Sequence, residues 1–238
     1  EGTSHAITDY AGGDLVGLQA SLPYLADLGV NTLWLSNPAA GPQGAWEGDC
    51  GATYSGYHGF WPASWDRVDG HLGNKADLHA LIEAAHARKM RVILDWVGNH
   101  VHQDHPVLAE WPPSAVHDQA VCSEAGPDGR SNWDRIPESC WFAPYLPDLD
   151  QADPAVLTAS VDQAIDWAET YQLDGLRVDA AKHMPHSVSW NLQSRVAERL
   201  EHAGTGSDFM LLGETFDGAD AINAFIGPDQ LDGQFDFP

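Results

Sequence analysis

In the stretch Gly175-Leu176-Arg177-Val178-Asp179 an arginine stands two residues before an aspartate. Leu176 and Val178 alternate with the two charged residues, the period of a strand, so Arg177 and Asp179 share one face. An opposite charge nearby lowers a carboxyl pKa, and Arg177 is expected to keep Asp179 ionised. An ionised, oriented carboxylate is what a covalent glycosyl intermediate requires. The same two residues also read as a strand-end ion pair that merely fixes a turn. Two more apolar runs carry acids. Arg91 to Val97 contains Asp95 and leads into Gly98-Asn99-His100, and Phe209 to Gly213 ends on Glu214. Three runs with acids at or near their C-terminal ends fit a parallel barrel whose chemistry sits at the strand tops.

Neighbouring strands lie about 4.8 Å apart, so acids topping adjacent strands can come within roughly 5 Å. Retaining glycoside cleavage needs about 5–5.5 Å between its two carboxyl groups, and inverting cleavage about 6.5–9.5 Å. If the strands before Asp179 and Glu214 are adjacent, as chain order suggests, the geometry favours retention. Asp179 is then the nucleophile. Glu214 is the acid/base that protonates the leaving oxygen and later activates water.

Five segments carry a resemblance to the α-amylase family of retaining glycoside hydrolases and transglycosylases. Asp95-Trp96-Val97-Gly98-Asn99-His100 is similar to that family's Asp-x-Val-x-Asn-His motif. Gly175 to His183 resembles Gly-x-Arg-x-Asp-x-x-Lys-His at every specified position. Gly213-Glu214, Leu146-Pro147-Asp148-Leu149-Asp150 and Tyr57-His58-Gly59-Phe60-Trp61 resemble three further motifs, and all five stand in the family's order. The resemblance implies the same roles for Asp179 and Glu214. It also implies that Tyr57 stacks on the sugar beside the cleavage point, that His58 and His100 bond that ring, and that Lys182 and His183 line the site of the leaving portion. Arg177 would orient Asp179, and Asp95 would serve the barrel top structurally.

The resemblance also implies a calcium ion pinning an inserted subdomain to the barrel. Its ligands map onto Asn99, Asp148 and the carbonyls of His183 and Glu138; calcium prefers such oxygen donors. His100, His102 and His105 form a His-x-His-x-x-His pattern that could instead suggest zinc. The implied fold is a partial (β/α)8 barrel holding about strands two to five and the start of six, with a subdomain inserted after strand three. Residues 1–100 and 153–238 supply the barrel and 101–152 the insertion. A third catalytic carboxylate of the family, in a Phe-x-x-x-His-Asp motif, does not occur here. The expectation is that the remainder of the same polypeptide completes the barrel, and that residues 1–238 alone do not make a working enzyme. The implied substrate is an α-1,4-glucan such as starch, hydrolysed internally. Transglycosylation and a non-catalytic, sugar-binding role are the competing readings.

These residues need elements to position them. Leu15, Leu18, Leu22, Leu25 and Leu28 recur at helical spacing, with a kink or restart expected after Ser21 because of Pro23 and a stop at Gly29. Residues 30–35 read as a strand, 75–90 as a helix with Leu78, Leu81, Ile82 and Ala85 inward, and 91–97 as a strand. Asp153-Pro154 opens a helix, cap then first-turn proline, with Leu157, Val161, Ile165 and Ala168 inward. Another helix is expected at about Ser189 to His202. Residues 39–73 lack helical period and read as a long functional loop. Strand–helix alternation gives an α/β class with a parallel sheet.

The 238 residues hold 11 Lys plus Arg against 35 Asp plus Glu, a net charge of −24. Phosphate backbones are repelled by such a chain, which argues against nucleic acid as a partner, whereas neutral sugars are not. Ten tryptophans suit stacking on sugar faces. No apolar run of ~18 residues predicts a membrane span. Of three cysteines, Cys122 and Cys140 flank a Gly/Pro/Asp-rich loop and are expected to pair, leaving Cys50 free. That pairing implies an oxidising compartment and a secreted, extracellular protein; three free thiols in a cytosolic enzyme is the other reading.

Overall fold

A computed structural model describes residues 8–48, 51–201 and 209–237. Strand β1 (Thr32–Leu35) is followed by β2 (Ala45–Glu47), β3 (Thr53–Ser55), β4 (Arg91–Trp96), β5 (Gly175–Val178), β6 (Met210–Gly213) and β7 (Gly233–Gln234). One sheet has the order β1-β4-β5-β6-β7, and every pair in it is parallel. Spatial order thus equals chain order, and helices occupy the connections: α1 (Leu15–Asp27) before β1, α2 (Lys75–His86) before β4, α5 (Pro154–Tyr171) before β5, α6 (His186–Arg195) before β6 and α7 (Ala219–Ala224) before β7. This is a partial (β/α)8 barrel. A flat five-stranded sheet would hold its edge strands about 19 Å apart. Trp34 on β1 instead stacks on Phe235, just past β7, with ring centroids 5.3 Å apart. The sheet therefore curls as a barrel wall does.

The core lies between this sheet and its helices. Leu78, Leu81, Ile82 and Ala85 of α2 and Val161, Ala164, Ile165 and Ala168 of α5 are buried, as are Val92, Leu94, Leu176, Val178 and Leu211 of the strands. All four residues of β5 are buried, so both faces of that strand are covered. Asn74 caps α2 in a reciprocal capping box with Asp77, and Asp153 caps α5 through the Ala155 amide at 2.8 Å. At the sheet's rim, among the described residues, β1 pairs with β4 alone. On the neighbouring helix α1, Val16, Tyr24 and Leu28 are exposed.

Several local expectations are corrected. Helix α1 continues through Pro23 without a restart. Pro23 is exposed. Gly29, at φ +84°, ends the run as expected. Helix α2 stops at His86, because Lys89 turns left-handed at φ 59° to start β4. On α5, Val156 is more deeply buried than Leu157. Helix α6 begins earlier than expected, at His186, and passes into a π-turn over Val196–Glu201; the expected end at His202 lies outside the described residues. The 39–73 segment is not all loop, since β2 and β3 pair antiparallel within it.

Residues 101–152 contain only the short helices α3 (Val107–Glu110) and α4 (Asn132–Arg135) and two single 3-10 turns. Isolated bridges His100↔Asp148 and Val116↔Leu149 tie the two ends of the segment together. Val101, Val107, Ala115 and Leu149 make a small separate core against Val156. Cys122 and Cys140 form a disulfide; Cys50 lies outside the described residues. No helix among those residues is long and apolar enough to cross a membrane.

Candidate active site

Strand register assembles the acids. Asp95 on β4 is the register partner of Arg177 on β5, and Val178 on β5 is that of Gly213 on β6. Asp179 and Glu214 therefore leave adjacent parallel strands at one level, the condition set for a retaining pair. Nη1 of Arg177 donates to Oδ1 of Asp95 at 2.6 Å and to Oδ1 of Asp179 at 2.5 Å. Its Nη2 lies 2.7 Å from Oε1 of Glu214. One guanidinium thus clamps three carboxylates, under the rings of Trp34, Phe60 and Phe235 at 5.7, 5.9 and 5.7 Å. The turn after the nucleophile helps. Ala180 adopts the left-handed conformation, φ 52° and ψ 37°, a sparsely populated region for a residue with a Cβ. There its N–H donates to Oε2 of Glu214 at 3.2 Å, and the next amide, Ala181, donates to the Glu214 carbonyl at 2.8 Å.

The protonation of Asp179 departs from the expectation. Burial raises its pKa most; Arg177 opposes that, and the Glu214 and Asp95 charges add to it. Burial wins because three carboxylates share one cation, so the Asp179 carboxyl sits well above the usual carboxylate range. Burial raises Asp95 in the same way, against the pull of Arg177. Arg177 itself is held even more firmly protonated by the surrounding acids.

These groups open on a cleft of about 900 Å³. Tyr57, His58, His100, Arg177, Asp179, Lys182, His183 and Glu214 all line it, so the structure gathers every expected catalytic and sugar-contacting residue in one place. Tyr57 is exposed to the cleft. His58 accepts the Phe60 N–H at Nδ1, 3.0 Å, and burial lowers its pKa to about 4. It is thus neutral and carries its proton on Nε2. His100 is also neutral, lowered to about 4 by burial. Its Nε2 bonds the Phe60 carbonyl at 2.9 Å, so it braces the Tyr57–Trp61 segment instead of offering a free donor. His183 is lowered to about 4 by burial as well, and its Nδ1 bonds the Pro137 carbonyl at 2.8 Å. Lys182 reaches Asp217 at 3.0 Å and Asp134 at 3.4 Å, over the Trp133 ring at 5.4 Å.

Sequence reasoning missed much of the wall. Trp46 and Tyr54 are register partners on the β2–β3 hairpin, and both line the cleft with Trp133, Phe142, Tyr145 and Phe216. The hairpin's signal was slight: its strands have three residues each, and only Trp46, Thr53 and Tyr54 among them favour strand. The others had none, since lone aromatics in irregular segments show no period.

For a metal, the structure joins Asn99 and Asp148: Nδ2 of Asn99 donates to Oδ1 of Asp148 at 2.8 Å. Burial raises Asp148 to about 7, against the pull of His117, whose Nδ1 is 2.8 Å from Oδ2. A carboxylate so buried, countered only by a histidine and an amide, fits a hard divalent cation. Glu138 and His183 belong to single 3-10 turns, Pro137–Ser139 and Ala181–His183, joined by the Pro137–His183 bond. The zinc alternative does not gather. His102 and His105 turn Nδ1 to the amides of Asp104 and Val107, and His100 bonds Phe60. Among the described residues only Cys122, Cys140 and His183 bring three such ligand atoms within 4.8 Å, and the two cysteines are already bonded to each other.

The chain matches the family model "Alpha amylase, catalytic domain" over residues 2–238. It is 29% identical over 236 residues to a cyclomaltodextrin glucanotransferase of Klebsiella oxytoca, covering 92% of this chain and 34% of the relative. It is 29% identical over 237 residues to a cyclomaltodextrinase of Geobacillus thermopakistaniensis, covering 97% and 36%. The crystal structure of an α-amylase from Geobacillus thermoleovorans, complexed with acarbose, superposes with a TM-score of 0.76 at 32% identity, covering 97% of this chain and 47% of that one. The chain spans about a third of the length of these curated relatives. With a curled parallel sheet, acids at its strand tops and a match along nearly the whole sequence, this chain belongs to the α-amylase catalytic-domain family.

Proposed function

We propose that this chain carries the catalytic pair of an enzyme that hydrolyses internal α-1,4-glucosidic bonds with retention. The carrying observation is the Arg177 clamp, which holds Asp179 and Glu214 from adjacent strands on the floor of an aromatic cleft. In the first step the Asp179 carboxylate attacks the anomeric carbon while Glu214 gives its proton to the leaving glycosidic oxygen. In the second, Glu214 takes a proton from water, whose oxygen displaces Asp179. Arg177 keeps Asp179 oriented and shares its charge; Tyr57 would stack on the sugar at the cleavage point and Nε2–H of His58 would bond it. Lys182 and His183 would face the leaving portion. Hydrolysis of starch by the full-length polypeptide, followed by NMR, should give α-anomers first. Early β-anomers would sink the assignment.

Transglycosylation by the same pair is the second reading. It is favoured by Phe216, 60% exposed in the loop after Glu214, where an apolar ring could seat an acceptor sugar in place of water. A purely binding role is disfavoured by the presence of both acids and their clamp. Calcium, held by Asn99, Asp148 and the carbonyls of His183 and Glu138, would fix the 101–152 segment to the barrel. Secretion is supported by the Cys122–Cys140 disulfide.

A further inference from the structure

A second groove, of about 480 Å³, runs along the outer side of α5. Helix α5 leads into β5, the middle strand of the sheet, so this groove is remote from the β1 and β7 edges. The catalytic acids lie at the strand tops instead, and no residue lines both grooves. Its walls hold four aromatic side chains in sequence. Trp111 packs on Trp65 with centroids 5.6 Å apart, Nε1 of Trp167 donates to the Trp65 carbonyl at 2.6 Å, and Trp167 packs on Tyr171 at 5.3 Å. Each ring is therefore fixed by a neighbour, and the three tryptophans are only half-buried.

The charges around the rings decide the ligand class. Four acids line the groove, which disfavours anions. Three of them are already answered: Asp162 by Arg195 at 3.0 Å, Asp166 by Arg199 at 2.8 Å, and Asp66 by the nearby Lys75. The pairing weakens, without cancelling, the field that would select a cation, since Arg199 also serves Glu169. What remains is a cluster of rigid aromatic rings, tilted 60° and 54° to their neighbours, with carboxylate and Thr170 hydroxyl acceptors on the rim, the chemistry that holds neutral pyranose rings: apolar sugar faces on the rings, hydroxyls to the rim.

We infer that the Trp65–Trp111–Trp167 groove is a second sugar-binding site, which takes a stretch of the same α-glucan outside the catalytic cleft. The inference rests on the substrate class proposed above, and its test separates the two. Full-length protein carrying Asp179→Asn, which removes the nucleophile, is run in native gels containing soluble starch and titrated with maltoheptaose by NMR. Retention in the gel and shifts of the groove tryptophan indole signals are expected. Trp65→Ala or Trp111→Ala should lower retention by about tenfold, while Trp111→Phe keeps most of it. The single substitutions in the otherwise unaltered enzyme should leave hydrolysis of a short maltotrioside unchanged. Unchanged retention in both alanine variants overturns the inference. So do indole shifts with spermidine but none with maltoheptaose. Failure of starch hydrolysis by the parent, with groove binding intact, counts against the catalytic reading alone.

Discussion

Arg177 is the cation shared by the buried Asp95 and Asp179 and the half-buried Glu214, so its loss should do more than slow chemistry. Removing one partner of a buried ion pair leaves uncompensated charge and costs about 3–5 kcal/mol. Arg177→Ala should therefore lower the melting temperature sharply and abolish turnover. Arg177→Lys restores the charge without the fork that reaches both Asp179 and Glu214, so it should regain stability before activity. Glu214→Gln should cut kcat by about 10²–10⁴-fold, the range of general acid–base catalysis. Asp179 has the opposite stability sign. Its folded pKa is raised, so its proton stabilises the fold at acid pH and that contribution is lost as pH rises through the folded value. Asp179→Asn should thus raise the melting temperature more at pH 8 than at pH 4, while eliminating hydrolysis. In the active protein, the acid limb of kcat/KM should lie above the usual carboxylate range. An equal effect of Asp179→Asn at both pH values would show the carboxylate to be unstrained. The Arg177–Asp179 pairing was legible from a two-residue spacing. The raised pKa was not, because it depends on burial and on Asp95 and Glu214, 84 and 35 positions away in the numbering.

Strands and helices show the same division. Apolar periodicity located β1, β4, β5, β6, α2 and α5, since each buries a continuous face. The proline rule, not the period, misled at Pro23, where the helix continues; periodicity failed in the 39–73 segment, where three-residue strands are too short to show a period. Those short strands matter, because β2 and β3 bring Trp46 and Tyr54 to the cleft. Trp46→Ala should raise KM for long glucans more than it lowers kcat, as expected for a residue that holds sugar away from the reacting bond. At Gly175 packing leaves no room for a side chain: a Cβ would stand 2.5 Å from the Met210 carbonyl and 2.7 Å from Cγ2 of Ile93. Gly175→Ala should cost about 1–3 kcal/mol by overpacking. It should also depress kcat by shifting β5 and with it Asp179. Unaltered kinetics in a destabilised Gly175→Ala protein would show that the strand can move without moving the acid.

Across the whole molecule, the 101–152 segment meets the barrel through polar groups and two small apolar clusters, and one of its acids is out of balance. Asp148 is almost completely buried, yet its nearest partners are an amide and a histidine. Its pKa is raised to about 7 by burial, so ionising it at neutral pH destabilises the fold. A calcium ion there would reverse that cost, because it replaces the proton and supplies the missing positive charge. Ion and proton compete for the same oxygens, so chelation should lower the melting temperature more at pH 8 than at pH 5. A ligand at a hundredfold its Kd stabilises by about 2.7 kcal/mol, and a chain of this size shifts by about 2–4 °C per kcal/mol. Asp148→Asn keeps the hydrogen-bonding shape but removes the charge, and should erase most of the chelator response. Proteolysis should then open the 101–152 segment more readily, because the cation would be one of its ties to the strand tops. Melting curves that coincide with and without chelator at pH 8, or an Asp148→Asn protein that responds as fully as its parent, would place the stabilising contact elsewhere.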